Sequence, residues 1–233
     1  AFKLNDADIE TSEVYLKSIN FDYNNKFVCL HVRDHVGDTD KYNRQCSIEN
    51  YKSSIRYFES KNILVVKMGK GSKFKYQDTN VVDLAFKEIP DIVQLYLISK
   101  CEFLISYQTG FFQHLSYMFG TPILMLNVSD PVFGYPMKSN SRMVLKKLIN
   151  INNKKEEKFS IFSDGTLTKL KKENKFSEKY FFVENTEEEI MLSVKEMHYS
   201  IQNKFKLNND QVFMRDLIIK RNIEFLNKPI ENI

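Results

Sequence analysis

The sequence predicts an α/β fold, built as a Rossmann-like parallel sheet with flanking helices. Two observations lead to this prediction. Continuous apolar runs are typical of strands buried on both faces of a parallel sheet, and such runs recur along the first half of the chain. Helical patterns lie between them, and this alternation favours parallel pairing. The predicted strands are residues 27–32, 63–68, 103–106 and 122–126.

Helices are predicted between these strands. Asp91 near the start of one helix and Lys100 near its end suit the helix dipole, and Gly120 is typical of the residue that follows a helix. The predicted elements are helices at 47–60, 91–99 and 109–119, a polar loop at 69–80 and a short strand at 81–84.

After residue 127 the chain becomes more polar. Residues 128–142 and 150–179 are predicted as loops, the second with one short helix. Thr186 and Glu189 form a capping-box pattern, which predicts a helix that runs to about residue 203. A last helix is predicted at 209–226.

Composition excludes several classes of protein. Of the 233 residues, 42% are hydrophobic and 13% aromatic, which is too apolar for a disordered chain. The net charge of +4 is smaller than the clustered excess of a typical nucleic-acid-binding domain, but it suits a small anionic substrate. No apolar run approaches the roughly 20 residues of a membrane span. Three cysteines without metal-ligand spacing, Cys29, Cys46 and Cys101, predict reduced thiols in a cytoplasmic protein.

The first candidate site is His31-Val32-Arg33, at the end of the first strand. Ligands of open α/β sheets bind beyond the carboxyl ends of the strands. Two residues apart on an extended chain, His31 and Arg33 face the same side, and the guanidinium fork suits phosphate oxygens. A structural histidine beside a surface arginine is the alternative.

The second candidate is the turn from Ser106 to Gly110, between a strand and a helix. Free amides at a helix start attract an anion, although Thr109 would also serve as an ordinary N-cap. The third is the segment from Lys67 to Lys73, which matches neither the Walker A spacing nor G-x-G-x-x-G. It is either a nucleotide-binding loop or a solvated lysine loop.

Two carboxylates are further candidates. Asp34 could act as the general base that activates an acceptor hydroxyl, but an acidic loop is more often simply solvated. Glu184 could accept hydrogen bonds from ribose or sugar hydroxyls, or be a surface carboxylate near a helix N-terminus. Asp34, Asp38 and Asp40 could together bind a metal, but their spacing matches no EF-hand loop. No metal site is therefore predicted, and no cofactor is expected.

Short motifs follow one another along nearly the whole chain: Val28–Asp34, Arg44, Ile48–Tyr51, Val65–Gly69, Cys101–Ser106, Thr109–Gly110, Phe119–Pro122, Asn127, Glu184–Ile190 and Glu196–Met197. In this order they resemble a family of bacterial glycosyltransferases associated with surface-polysaccharide genes. The set is distantly similar to GT-B fucosyltransferases with an H-x-R motif. Family members are longer at the N-terminus, so the resemblance implies the C-terminal, donor-binding half of a GT-B enzyme. Residues 1–185 would form the nucleotide-sugar-binding domain, and 186–233 would be C-terminal helices packed on it.

The resemblance also implies roles for residues. Arg33 would bind the donor diphosphate and neutralise the leaving nucleoside diphosphate, with His31 supporting it or lining the site. Ser106, Gln108 and Thr109 would hold the pyrophosphate, and Met68, Gly69 and Asp83 would lie around the nucleoside. The local patterns add Asp34 to the candidate catalytic residues, and Lys67, Gly110 and Glu184 to the candidate donor-binding residues.

Two residues depart from the family pattern. Relatives commonly carry arginine at the position of Lys67, and lysine keeps the charge without the planar fork. The H-x-R fucosyltransferases often continue with a second arginine where this chain has Asp34. This departure disfavours a guanosine diphosphate fucose donor.

The predicted function is metal-independent transfer of a sugar from a nucleoside-diphosphate sugar to a glycan or lipid-linked glycan acceptor, in surface-polysaccharide synthesis. The enzyme would be cytoplasmic, with peripheral attachment to the inner face of the membrane left open, and nucleic acid is not an expected partner. Two alternatives remain: a nucleotide-sugar epimerase or hydrolase of the same fold, and a non-catalytic sugar-binding or scaffold module.

Overall fold

The computed structural model describes residues 2–33, 46–70, 75–86, 89–107, 110–129, 141–162 and 166–226. Within these ranges the strands of the main sheet are β1 (Phe27–Leu30), β2 (Leu64–Lys67), β3 (Val81–Asp83), β4 (Leu104–Ser106), β5 (Ile123–Val128) and β6 (Arg142–Leu145). All are parallel, in the order β3-β2-β1-β4-β5-β6. This is the strand order of the doubly wound nucleotide-binding fold. The prediction of an α/β parallel sheet is therefore confirmed.

Helices cover both faces of the sheet. The helices are α1 (Asp6–Ser18), α2 (Lys52–Glu59), α3 (Asp91–Lys100), α4 (Gly110–Phe119), α5 (Thr166–Lys172), α6 (Phe176–Lys179), α7 (Glu187–Ile201) and α8 (Asn209–Leu226), with 3-10 turns at Ile48–Tyr51 and Phe159–Phe162. α1, α3 and α4 pack on one face, whereas α2 and α7 pack on the other. β1 shows the division, because Phe27 and Cys29 belong to the first core and Val28 and Leu30 to the second.

A second, antiparallel sheet lies outside the main one. β7 (Lys147–Asn150) pairs with β8 (Tyr180–Val183), and a small core of Leu148, Leu167, Leu170 and Phe176 fills one side of this ribbon. The prediction of loops with one short helix at 150–179 is wrong, because both α5 and α6 form there and the strands border them. Each strand is only four residues long, so its alternation is lost among the surrounding lysines.

The N-terminal helix α1 is also absent from the sequence prediction. Asn5 caps it, since its side-chain oxygen accepts a hydrogen bond from the Asp8 amide at 2.8 Å. Of its side chains only Ser12 and Leu16 are buried. With so few buried apolar residues, the sequence of α1 shows almost no helical periodicity of hydrophobic residues.

Cys29, Cys46 and Cys101 are all buried free thiols in the structure. Thr186 and Glu189 form the predicted capping box. The Thr186 hydroxyl accepts from the Glu189 amide at 3.2 Å, and the Glu189 carboxylate accepts from the Thr186 amide at 2.9 Å. None of the described helices has the length and apolar character to cross a bilayer.

The cap of α7 makes a testable contribution to stability. Replacing Thr186 with Ala leaves the Glu189 amide without its side-chain acceptor, and we expect the free energy of unfolding to fall by about 1 kcal/mol. Urea unfolding followed by circular dichroism measures the change. Thr186→Ser keeps the hydroxyl and should unfold like the wild type. Equal midpoints for the Ala and Ser variants would contradict the assigned cap.

Candidate active site at the carboxyl edge of the sheet

The strand order creates a crevice between the ends of β1 and β4. After β1 the chain turns toward β2, whereas after β4 it turns toward β5, so the two connections diverge at the carboxyl edge. Ligands of doubly wound folds bind at this switch point. His31 follows β1 and Ser106 ends β4, and the His31 amide donates to the Ile105 carbonyl at 2.8 Å.

The His31 ring is held on several sides. Its centroid lies 4.1 Å from that of Phe112 on α4 and 5.1 Å from that of Tyr107. Gly69, two residues after β2, lies against another side of the ring and has a positive φ of +123°. A Cβ at this position would lie 3.0 Å from His31 Cδ2. His31 therefore occupies a pocket that only a glycine at position 69 leaves open.

Hydrogen bonds favour one tautomer of His31. The Ser106 hydroxyl donates to the Tyr107 carbonyl at 3.1 Å, so its oxygen can accept from His31 Nδ1, which lies 3.4 Å away. In this arrangement Nε2 carries the lone pair. Burial, assisted by the positive charges of Arg33 and Lys67, lowers the pKa of His31 to about 3. The ring is therefore neutral near pH 7 and can accept a hydrogen bond.

Arg33 lies two residues after His31 and is half-buried. Its carbonyl accepts a hydrogen bond from the Cys46 amide at 3.2 Å. The predicted residues Asp34, Gln108 and Thr109 lie outside the described ranges. Their roles stay predictions, as does the diphosphate contact of Arg33.

Lys67 and Asp83 form a buried ion pair at the ends of β2 and β3. Nζ and Oδ2 are 3.4 Å apart, and each side chain is 1% exposed. Oδ2 also accepts from the Tyr76 amide at 2.8 Å, and Oδ1 accepts from the amides of Ala85 and Phe86 at 3.0 and 3.3 Å. The pair braces the loops that flank the crevice, and its predicted contact with a donor stays a prediction.

The remaining predicted residues divide between core and surface. The Met68 side chain is fully buried in the core on the α3–α4 face, and its amide donates to the Leu30 carbonyl at 2.8 Å. Gly110 opens α4 directly beyond the crevice. The contacts of Met68 and Gly110 with a donor stay predictions. Because its side chain is buried in the core, Met68 could contact a donor only through its backbone.

Glu184 follows β8, and its carboxylate reaches the start of the 3-10 turn that precedes α2. Its Oε2 accepts from the Ser47 amide at 2.9 Å and from Asn50 Nδ2 at 3.2 Å. This geometry corresponds to the alternative interpretation of a carboxylate near a helix N-terminus. Its contact with a sugar hydroxyl stays a prediction.

A buried amide pair at the ends of β5 and β8 has no counterpart in the site prediction. The amide of Asn127 donates to the Asn185 side chain at 2.7 Å, and the Asn185 amide donates back to the Asn127 side chain at 2.7 Å. Asn185 Nδ2 also reaches the Leu145 carbonyl at 2.8 Å. With φ +56°, Asn127 interrupts β5, and the β5–β6 register shifts there.

Lys146 is a further residue that the sequence interpretation missed. It follows β6, is 5% exposed, and donates its amide to the Val128 carbonyl at 2.9 Å. Burial raises the pKa of the nearby Cys46 thiol to about 11; the charge of Glu184 also raises it, and that of Lys146 lowers it. The Cys46 amide also donates to the Arg33 carbonyl, so Lys146 lies near the backbone that follows β1. Residues 142–145 were not predicted as a strand, so nothing placed Lys146 at a strand end.

Within the described ranges, no group of three His, Cys, Asp or Glu side chains could hold a metal ion. The described cavity nearest the edge measures about 390 Å³, and its lining includes Lys146 and Asn185.

No family model matches the chain, and no curated protein matches it either. Its fold does have counterparts among solved structures. The glycosyl transferase family 9 protein from Veillonella parvula is 12% identical with a TM-score of 0.55, covering 84% of this chain and 52% of that one. The E. coli ADP-heptose lps heptosyltransferase II is 10% identical with a TM-score of 0.53, covering 88% and 54%. At these identities the likeness shows a shared fold, and this chain spans about half the length of either protein.

The contact between Gly69 and His31 predicts a costly substitution. Gly69→Ala places a methyl group 3.0 Å from the imidazole at a positive φ, and we expect a loss of about 1–3 kcal/mol in urea unfolding. Gly110→Ala is the matched control, since its Cβ would meet nothing closer than 4.0 Å. Equal unfolding midpoints for both variants would show that position 69 tolerates a side chain.

The low pKa of His31 predicts how stability depends on pH. The ring is neutral in the folded chain down to about pH 3, but it takes up a proton near pH 6.5 when unfolded. Its contribution is therefore fully present above pH 6.5 and is lost as the pH falls toward 3. Urea unfolding from pH 7 to 4 should show a smaller loss for His31→Asn than for His114→Asn, an exposed control on α4. An NMR titration that protonates His31 between pH 5 and 8 would contradict this assignment.

Proposed function

We propose that this chain is the donor-binding half of a metal-independent GT-B glycosyltransferase. It would bind a nucleoside-diphosphate sugar at the carboxyl edge of the sheet and transfer the sugar to a glycan acceptor in surface-polysaccharide synthesis. The resemblance of the ordered motifs to such a family and the fold shared with two glycosyltransferases both support this proposal.

The observation that carries the proposal is the position of His31 and Arg33 at the switch point. His31 touches Ser106 across the crevice. Burial lowers the pKa of His31, and the positive charge of Arg33, two residues further on, is close enough to lower it further. β1 is followed by these side chains rather than by the glycine-rich turn of dinucleotide-binding domains. The edge therefore supplies the Arg33 cation and the neutral His31 ring where those domains supply a glycine-rich turn of backbone amides.

Glycosyl transfer breaks the bond between the sugar and the diphosphate, and negative charge builds on the departing phosphate. A preorganised cation stabilises that charge more than it stabilises the bound substrate. Arg33 can present two parallel donors to phosphate oxygens. The start of α4, next to Gly110, adds the positive end of a helix dipole from the opposite wall of the crevice.

His31 has a different role in this proposal. A ring that stays neutral and offers Nε2 as an acceptor is suited to a hydroxyl group of the donor. It would orient the ribose or the sugar without adding positive charge. Asp34 remains the proposed base in this chain for the acceptor hydroxyl.

Nucleotide binding tests the proposal directly. UDP, GDP, CMP and dTDP are added separately to the purified chain, and the melting temperature is followed. A ligand at about 100 times its Kd adds about 2.7 kcal/mol, which raises the melting temperature by about 5–10 °C in a chain of this size. We expect one nucleotide to produce this shift and Arg33→Ala to remove most of it.

Two further variants make the nucleotide test specific. Arg33→Lys keeps the charge but loses the fork, so it should give an intermediate shift. Arg56→Ala removes an exposed arginine from α2 and should behave like the wild type. A wild type that no nucleotide stabilises, or an Arg33→Ala variant with the full shift, would reject the proposal. Consumption of a donor sugar without any acceptor would instead indicate an epimerase or hydrolase.

A further inference from the structure

The antiparallel ribbon and its helices carry the whole net charge of the chain. Residues 147–183 contain nine lysines and five acidic residues, and this excess of four equals the net charge of +4 for all 233 residues. The rest of the chain is balanced. Most of the nine lysines are exposed: Lys154, Lys155, Lys158, Lys169, Lys172, Lys175 and Lys179.

One face of the ribbon is open and apolar. Leu148 on β7, and Tyr180 and Phe182 on β8, face the small core. Residues directly opposite one another share a face, so Ile149 with Phe181, and Lys147 with Val183, form the other side. Phe181 is 42% exposed and Val183 is 37% exposed. We call this side the open ribbon face.

Exposed lysines gather at one end of the open ribbon face. The Asn150 amide donates to the Lys155 carbonyl at 3.0 Å, and the Ile151 amide donates to the Lys179 carbonyl at 2.9 Å. Lys154 belongs to the same turn. These bonds bring Lys154, Lys155 and Lys179 to the tip of the ribbon, next to Phe181.

Acidic groups offset part of this charge. Glu156 lies opposite Ile149 on the open ribbon face, and Glu178 precedes Lys179. At the other end, Lys147 is paired with Glu189 at 2.6 Å. Glu157 is a third carboxylate there, because its Oε1 accepts from Asn150 Nδ2 at 2.8 Å. The tip therefore holds three exposed lysines and three carboxylates, and the lysines of the helices behind it supply the excess of positive charge.

We propose that the open ribbon face docks on an anionic lipid surface. Aliphatic and phenylalanine side chains enter the boundary between headgroups and acyl chains, and neighbouring lysines bind anionic headgroups. The ring of Phe181 can stack on a sugar or a base, but Ile149 and Val183 offer either polymer neither a hydrogen bond nor a ring. A sugar polymer or a nucleic acid would therefore leave most of the open ribbon face unused. The combination of aliphatic surface with a lysine tip thus favours a membrane over either polymer.

Vesicle binding tests the proposal with the purified chain and no nucleotide, so its outcome is independent of the proposed glycosyl transfer. Vesicles of phosphatidylcholine alone are compared with equal mixtures of phosphatidylcholine and phosphatidylglycerol, at low and at physiological salt. We expect sedimentation with the anionic vesicles and weaker binding in salt. Lys179→Glu should weaken binding about fivefold or more, because each lysine near an anionic surface contributes about this factor.

Matched variants separate the open ribbon face from general effects of charge and apolarity. Phe181→Ser should lower binding, whereas Val14→Ser, which alters the 60% exposed Val14 on α1, should not. Lys3→Glu makes the same change in net charge as Lys179→Glu at an exposed position outside the ribbon, and should retain binding. Circular dichroism checks that each variant folds. Equal binding to both vesicle types, no binding at all, or wild-type binding by Lys179→Glu and Phe181→Ser would overturn the proposal.

Discussion

β1 lies in the middle of the sheet and pairs in parallel with both β2 and β4. Parallel neighbours need a crossover connection, so the chain must leave β1 on one side and reach β4 only after β3. The connections after β1 and β4 therefore diverge, and a crevice opens where they part. The approach of Gly69 to His31 depends on the pairing of β1 with β2, and the contact of His31 with Ser106 depends on its pairing with β4.

Three polar contacts, one partly buried and two buried, fix the rim of that crevice. The imidazole of His31, the ion pair of Lys67 with Asp83 and the reciprocal amides of Asn127 and Asn185 each have bonded partners. An unpartnered polar group at these depths would be costly, but a satisfied network makes the surroundings rigid. The edge of the sheet is thus held in shape before any ligand arrives, which is what electrostatic stabilisation of a leaving group requires.

The sequence predicts this site unevenly, and the reasons are physical. The strands before His31 and Ser106 are buried on both faces, so each is readable as an apolar run. The partners of Lys67 and Asn127 lie 16 and 58 residues away, and no local period connects such distant positions. The role of Gly69 depends on a positive φ and on a ring from another strand. Lys146 was missed because the short, half-buried strand β6 gives no clear alternation.

The site and the open ribbon face are joined through consecutive residues. Lys146 lies at the carboxyl edge of the main sheet, directly after β6, and Lys147 is the first residue of β7. At about 3.3 Å per residue, the tip near residue 151 lies roughly 13 Å along the strand from Lys147. That distance exceeds the Debye length of about 8 Å at physiological salt, so the tip lysines act on a partner separately from Lys146 and Lys147 at the other end of the strand. A ribbon docked on a membrane would nevertheless keep the crevice close to the headgroups, where a lipid-linked glycan would present its acceptor hydroxyl.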